Sequence, residues 1–284
     1  MFRKTLAVLL LVSLCLCLPQ TVLATEDEED VSLAEVLGGD EAQTDAAVPE
    51  SEAAVPVDPA APVYEVDGSI VLKLTFTGDF TIGDNLQAKG KSIFAKELEK
   101  QKGDINFPFR NYKDIFENDN LTVLNFEGTL TKAGRNPNKL DNQFLFRADP
   151  AYAQMLPDNG VECVSLENNH VLDMGEEGLA ETKQSLANVG VKYYCESEPL
   201  VFTLRGVKMG ILAYQTFDQY DRLFTQVPQD VANLKAEGCE VVVVSFHWGA
   251  EKDYAPNDNQ QKMAKLTIDA GADLVVGHHS HRIN

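Results

Sequence analysis

Val241-Val242-Val243-Val244-Ser245-Phe246-His247-Trp248-Gly249 is a run of strand-forming residues that ends in an imidazole. Four successive valines leave no polar face, so their strand belongs to a sheet covered on both sides, as in α/β proteins with parallel strands. The same grammar recurs outward from this stretch. Val71 to Thr77 runs into Gly78-Asp79, Leu121 to Phe126 into Glu127-Gly128, and Leu274 to Gly277 into His278-His279-Ser280-His281, while Asn168-Asn169-His170 follows the run that starts at Val161. All five histidines thus fall in three clusters behind apolar runs. Loops at one edge of a sheet face one crevice, so such side chains can converge.

Between the strands lie helical patterns. Ser92 to Lys102, Pro150 to Asp158, Glu177 to Val189, Gln229 to Glu237 and Asn259 to Ala270 carry apolar residues at three- and four-residue spacing, and Gly103, Gly160, Gly190, Gly238 and Gly271 mark their ends. Strands are expected at 70–77, 121–126, 161–166, 192–194, 201–204, 207–214, 241–246 and 274–277, with Arg205-Gly206 turning a hairpin. The alternation predicts one α/β domain over residues 68–284.

The N-terminus has a different character. Arg3 and Lys4, an apolar stretch from Leu6 to Leu18 and the small residues before Thr25 predict a secretory signal over residues 1–24, cut after Ala24. The stretch falls short of the roughly 20 residues that span a bilayer. Leucine precedes both Cys15 and Cys17, which speaks against lipidation. Residues 25–67 hold fourteen Asp or Glu, no Lys or Arg and many Ala, Val and Pro, the composition of a disordered acidic linker. The formal charge of −20 is mostly its doing, because residues 68–284 carry only −8. No basic stripe accompanies the domain, which excludes nucleic-acid binding. Cys163, Cys195 and Cys239 are too few and irregular for a disulfide framework.

The clusters suit a metal centre. Two divalent ions need a bridging carboxylate with imidazole, carboxylate and amide ligands around it. Asp79, Glu127, Asn169, His247, His279 and His281 supply that set, with Glu127 the candidate bridge. The absence of thiolate suits Mn, Fe or Zn, one or two ions. If the backbone at 279–281 is extended, His279 and His281 share a face and Ser280 points away. His170, beside Asn169, is a candidate catalytic proton donor, oriented by Asp173 or Glu167. The loop carrying Lys132, Arg135, Lys139 and Arg147 can set positive charge near an anionic substrate. Taken singly, each residue has a plainer reading: a turn cap for Asp79, a surface acid for Glu127, a packed core imidazole for His247.

Six blocks carry a family resemblance: Phe76-Thr77-Gly78-Asp79, Asn125-Phe126-Glu127-Gly128-Thr129, Phe146-Arg147-Ala148, Ser165 to Gly175 with Asn168-Asn169-His170 at its heart, His247-Trp248-Gly249-Ala250-Glu251 to Pro256, and Ala270 to His281. In this order and spacing they resemble the bacterial capsule synthesis proteins of the CapA family, which act in poly-γ-glutamate capsule formation and are similar to calcineurin-like metallophosphatases. The resemblance implies a four-layered α/β/β/α metallophosphatase-like sandwich, an extracytoplasmic location, metal-dependent hydrolysis, and an anionic capsule polymer or its synthase machinery as partner. Contact with a membrane would run only through the N-terminal segment, if uncleaved. The phosphatase pattern has a histidine two residues after its first Asp, where this chain has Thr81, and an Asp where it has Glu127. Family members continue beyond the position of Asn284, so the fold is expected to be C-terminally incomplete. The rival readings are a phosphoesterase unrelated to capsule and a non-enzymatic polymer scaffold with a degenerate metal site.

Overall fold

The computed structural model describes residues 64–140 and 143–284; the expected signal segment and nearly all of the acidic linker lie outside them. In chain order the elements are β1 (Leu74–Phe80), β2 (Asp84–Asn85), α1 (Ile93–Lys100), α2 (Lys113–Phe116), β3 (Leu121–Phe126), β4 (Thr129–Leu130), β5 (Phe146–Ala148) and β6 (Cys163–Ser165). There follow α3 (Gly175–Asn188), β7 (Lys192–Tyr194), β8 (Leu200–Leu204), β9 (Val207–Gln215), α4 (Tyr220–Ala236), β10 (Val241–His247), α5 (Asp258–Asp269) and β11 (Leu274–His278).

Two four-stranded sheets form, in the orders β1-β3-β6-β7 and β11-β10-β9-β8, and β2-β5-β4 makes a third, small one. All neighbours in the first large sheet are parallel; in the second only the β8–β9 hairpin is antiparallel. That hairpin turns through Arg205 (φ 46) and Gly206 (φ 79), the pair of left-handed residues that matches strand twist in a two-residue turn.

The period of two along each strand sorts its side chains into three hydrophobic clusters. Leu121 and Val123 of β3, Met209 and Ile211 of β9, and Val241 and Val243 of β10 share one cluster, which draws on both large sheets. Their neighbours Leu124 and Phe126 turn instead to a cluster with Leu186 of α3. Val242, Val244 and Phe246 turn to Leu223, Val227, Val231 and Leu234 of α4 and Met263 of α5. A strand that buries both of its faces must be apolar throughout, which is why β10 shows no alternation.

The expected strands are all present, β3 and β7 with the expected bounds, β1 displaced along its run and the others shifted at their ends by a residue or two. The short helix α2 was not among those expected, and three further features differ. The stretch 150–158 is not an α-helix but two 3₁₀ turns, Pro150–Met155 and Pro157–Asn159, because the Pro157 ring blocks a continuing ladder. Helix α4 begins nine residues before Gln229 and runs through Pro228, since Leu223, Val227, Val231 and Leu234 bury one face and that packing outweighs the lost backbone bond. The small sheet went unexpected, its strands of two or three residues being too short to show a period. Cys163, Cys195 and Cys239 are buried free thiols.

Candidate metal centre

The inward row of each strand ends in a polar residue. On β3 the row Leu121, Val123 continues to Asn125, and on β10 the row Val241, Val243, Ser245 continues to His247. Both polar side chains therefore enter the space between the sheets at the carboxyl ends of their strands, where crevices of α/β sheets form. On β1 the inward residues are Leu74 and Phe76, and the regular phase would bring Gly78 opposite Asn125. A one-residue irregularity between Phe76 and Asp79 shifts the register, so that Asp79 pairs with Asn125 and Phe80 with Phe126. The bulge hands the inward position to the carboxylate.

Among the described residues, three overlapping groups bring their ligand atoms within 4.8 Å of one another: Glu127, His247 and His279; Asp79, Glu127 and His281; and Glu251, His279 and His281. Glu127 belongs to the first two, as a bridge should. Its Oε1 is 3.9 Å from both His247 Nε2 and His170 Nε2, and Thr81 donates to its Oε2 at 3.3 Å. Burial, with Asp79 close by, lifts its carboxyl to about 8. Two carboxylates pressed together in a dry crevice call for positive charge.

His247 is buried among other imidazoles and is pushed down to about 2, burial being the larger cause. Its Nε2 lies 2.7 Å from Asn169 Oδ1 and its Nδ1 3.3 Å from Asn125 Nδ2. Asn125 accepts from Asn168 Nδ2 through its carbonyl at 3.2 Å, so its amide is the donor to Nδ1, and the His247 proton sits on Nε2 facing Asn169. His247 and Asn169 would hold a cation through these two atoms only once that proton had left. The Asn125 amide also donates to Asp79 Oδ1 at 2.7 Å.

The strand β11 ends at His278, so the expected extended run through His279 to His281 does not form. His279 (φ 90) and His281 (φ 50) are left-handed, an uncommon state for residues other than glycine and one that clusters at functional sites. The two imidazoles still come together, with ring centroids 6.2 Å apart. His279 N donates to Asp79 Oδ2 at 3.0 Å, and His281 Nδ1 lies 3.7 Å from the same oxygen. His278 takes the inward position of β11 and sets its Nδ1 3.9 Å from Asp79 Oδ1. Buried Nδ1 atoms of both His278 and His279 have no hydrogen-bond partner among the described residues. Orphaned imidazole nitrogens beside paired carboxylates fit a divalent cation.

His170 Nδ1 is 2.8 Å from Asp173 Oδ2, and its ring leans on Phe146 with centroids 4.6 Å apart. This leaves Nε2 aimed toward Glu127. Of the two expected orienters Asp173 does the work, because Glu167 instead accepts from Glu196 N at 2.8 Å. Asp173 is fully buried, and Lys139 Nζ reaches its other oxygen at 2.9 Å and Asn169 O at 2.6 Å.

Two other cations of that loop face a separate cavity. Lys132 and Arg147 line a cavity of about 700 Å³ with Asp84, Phe94, Asp149 and Tyr152, and no residue of the metal groups lines it. Arg135 donates to Lys139 O. Among the described residues of the loop, Lys139 touches the site through Asp173 and Asn169. Residues that the sequence reading did not assign are Asn125, His278, Glu251 and Phe217, whose ring meets His279 edge-on at 4.8 Å. Of these, Asn125, Glu251 and His278 carried a signal, since each lies inside a resembling block, whereas Phe217 carried none.

Comparison with known proteins bears on this geometry. The family described as bacterial capsule synthesis protein PGA_cap matches residues 73–284. The PGA biosynthesis protein CapA of Bacillus subtilis is 27% identical over 230 residues, covering 74% of this chain and 58% of that protein. The capsule biosynthesis protein CapA of Bacillus anthracis is 26% identical, covering 74% and 54%. A probable polyglutamine synthesis accessory protein of Mycobacterium tuberculosis is 27% identical, covering 63% and 54%. The chain spans little more than half the length of these curated relatives.

Proposed function

The chain belongs to the bacterial capsule synthesis protein family PGA_cap, and on that premise we propose that it is an exported protein of poly-γ-glutamate capsule synthesis or export, with a metal-dependent hydrolytic centre. The observation that carries the reading is the meeting of Asp79, Glu127, His247, His279 and His281 from two sheets, with His170 held by Asp173 at its edge. The names of two relatives, a PGA biosynthesis protein and a capsule biosynthesis protein, support an anionic polymer or its synthase machinery as partner. The shared inter-sheet cluster with helices packed outside supports a four-layered sandwich of the metallophosphatase kind.

Bound divalent cations supply Lewis-acid polarisation of the scissile group. The chain's own residues do the rest. Asp79 and Glu127 give the negative charge that holds cations, and Asn169, His247, His279 and His281 complete the shell. Asn125 fixes the donors on either side of it. His170, with Nδ1 engaged by Asp173, presents Nε2 to the crevice and can hand a proton to a leaving group there. Phe146 packs against His170 and Phe217 against His279.

Metal analysis of protein purified without chelator, followed by assay on γ-glutamyl polymer and on phosphate esters, tests this reading. One to two ions with turnover of the polymer are expected. Turnover of phosphate esters alone makes it a phosphoesterase outside capsule synthesis. Thr81 favours a second reading, a non-enzymatic polymer scaffold, and absence of both metal and turnover would establish it. Export is tested by the N-terminal sequence of protein recovered outside the cytoplasmic membrane, where Thr25 is expected first; cytosolic protein with intact Met1 would sink it.

A further inference from the structure

Thr81 stands where the related phosphatase pattern has a histidine, and its hydroxyl is spent on Glu127 Oε2 at 3.3 Å. The group of Asp79, Glu127 and His281 therefore lacks one imidazole donor from its own sheet. A carboxylate arrives from the other. Glu251 follows β10 in a loop that turns through Gly249 (φ 80) and Lys252 (φ 70). Lys252 N donates to Ser280 O at 2.7 Å, which ties this loop to the turn carrying His279 and His281. The Glu251 carboxylate stands within 4.8 Å of both imidazoles.

Two further observations point to a ligand. His279 is more than nine-tenths buried, at 9% exposure, and its Nδ1 has no hydrogen-bond partner among the described residues. Glu251 itself is exposed and pairs with no lysine or arginine among the described residues, so its charge is not used to hold the loop. Resting on the metal reading above, we propose that Glu251 supplies the ligand that Thr81 does not, completing from the second sheet the shell of the cation held by Asp79, Glu127 and His281. An anionic oxygen in place of a neutral nitrogen makes that position harder, and so shifts it toward Mn over Zn. Its place on an exposed loop leaves it open to exchange with solvent.

Mn²⁺ binding to the purified protein, counted by equilibrium dialysis and elemental analysis, tests the assignment without reference to activity. Glu251→Gln should bind one ion fewer per chain than wild type while melting as wild type does without Mn²⁺. Adding Thr81→His to Glu251→Gln should restore the lost ion, because the two positions serve the same cation. An unchanged count in Glu251→Gln overturns the assignment and leaves the metal centre standing. Failure of Thr81→His to restore the ion overturns the claim that one position substitutes for the other. A wild type that binds no Mn²⁺, Zn²⁺ or Fe²⁺ fails the metal reading itself, and is recognised before any variant is compared.

Discussion

Asp79 and His247 come from different sheets, and the amide of Asn125 lies between them, 2.7 Å from Asp79 Oδ1 and 3.3 Å from His247 Nδ1. One carboxamide thus sets the position of a carboxylate and the tautomer of an imidazole at once. Asn125→Leu keeps the volume and removes the polar link. It should cost about 1–3 kcal/mol of stability, because a buried imidazole nitrogen loses its donor. Metal affinity should fall roughly 10–100-fold, as when an outer partner of a ligand is removed. Denaturant melts and metal titration of the two proteins check both figures, and wild-type affinity in Asn125→Leu would contradict the role.

The His170 prediction separates chemistry from binding. His170→Ala should lower turnover by about 10²–10⁴ while leaving metal content near wild type, the contribution expected of a positioned proton donor. His279→Ala should lower both. Loss of metal in His170→Ala would make His170 a ligand.

Lys139 bears on the same residue through Asp173. Its ammonium faces a fully buried carboxylate at 2.9 Å, so Lys139→Met leaves that charge without its cation. A loss of about 3–5 kcal/mol is expected, most of it the cost of the uncompensated carboxylate. Asp173→Asn in the same background should recover part of it. If Lys139→Met melts like wild type, the pair contributes nothing to the fold.

Glu127 makes the metal-free protein sensitive to alkali. In the unfolded chain its carboxyl titrates near the ordinary 4.5, whereas in the folded protein burial holds the proton up to about 8. Between these values the unfolded state binds fewer protons than the folded one, so stability contributed by this group falls as pH rises, by about 1.4 kcal/mol per pH unit. Glu127→Gln has no such proton to lose. Without metal, the variant should gain on wild type steadily from about pH 4.5 to about pH 8. Excess Mn²⁺ should reverse the order, since only wild type has the bridging charge. Parallel melting curves across that range would contradict the buried, protonated carboxyl.

Much of this arrangement was legible because strands are read from apolar runs and the site lies at their ends. Strands β3 and β7 have the expected bounds, and each of the six expected ligands stands in the cluster. Asn125, though it opens a resembling block, was given no role because it sits inside the apolar run itself, where only the inward phase distinguishes it. Asp79 was found for an incomplete reason: its inward position depends on a bulge that no pattern of residue types announces. Lys132 and Arg147 share a loop region with Lys139, yet point to a separate cavity, and nothing in their charge foretold the difference. The left-handed turn at His279 and His281 ran against the extended geometry that alternation suggests.

The two large sheets meet through apolar contacts along most of their length and through the metal groups at one end. Asp79, Glu127 and Asn169 belong to one sheet and His247, Glu251, His279 and His281 to the other. On the proposed metal reading, ion occupancy and sheet separation become a single thermodynamic variable: a cation bound there would clasp the halves, adding about 2.7 kcal/mol at a hundred times its dissociation constant. By the same linkage, any partner that levered the sheets apart at this end would eject a bound ion, and the rigidity of the domain would then follow the metal its surroundings supply.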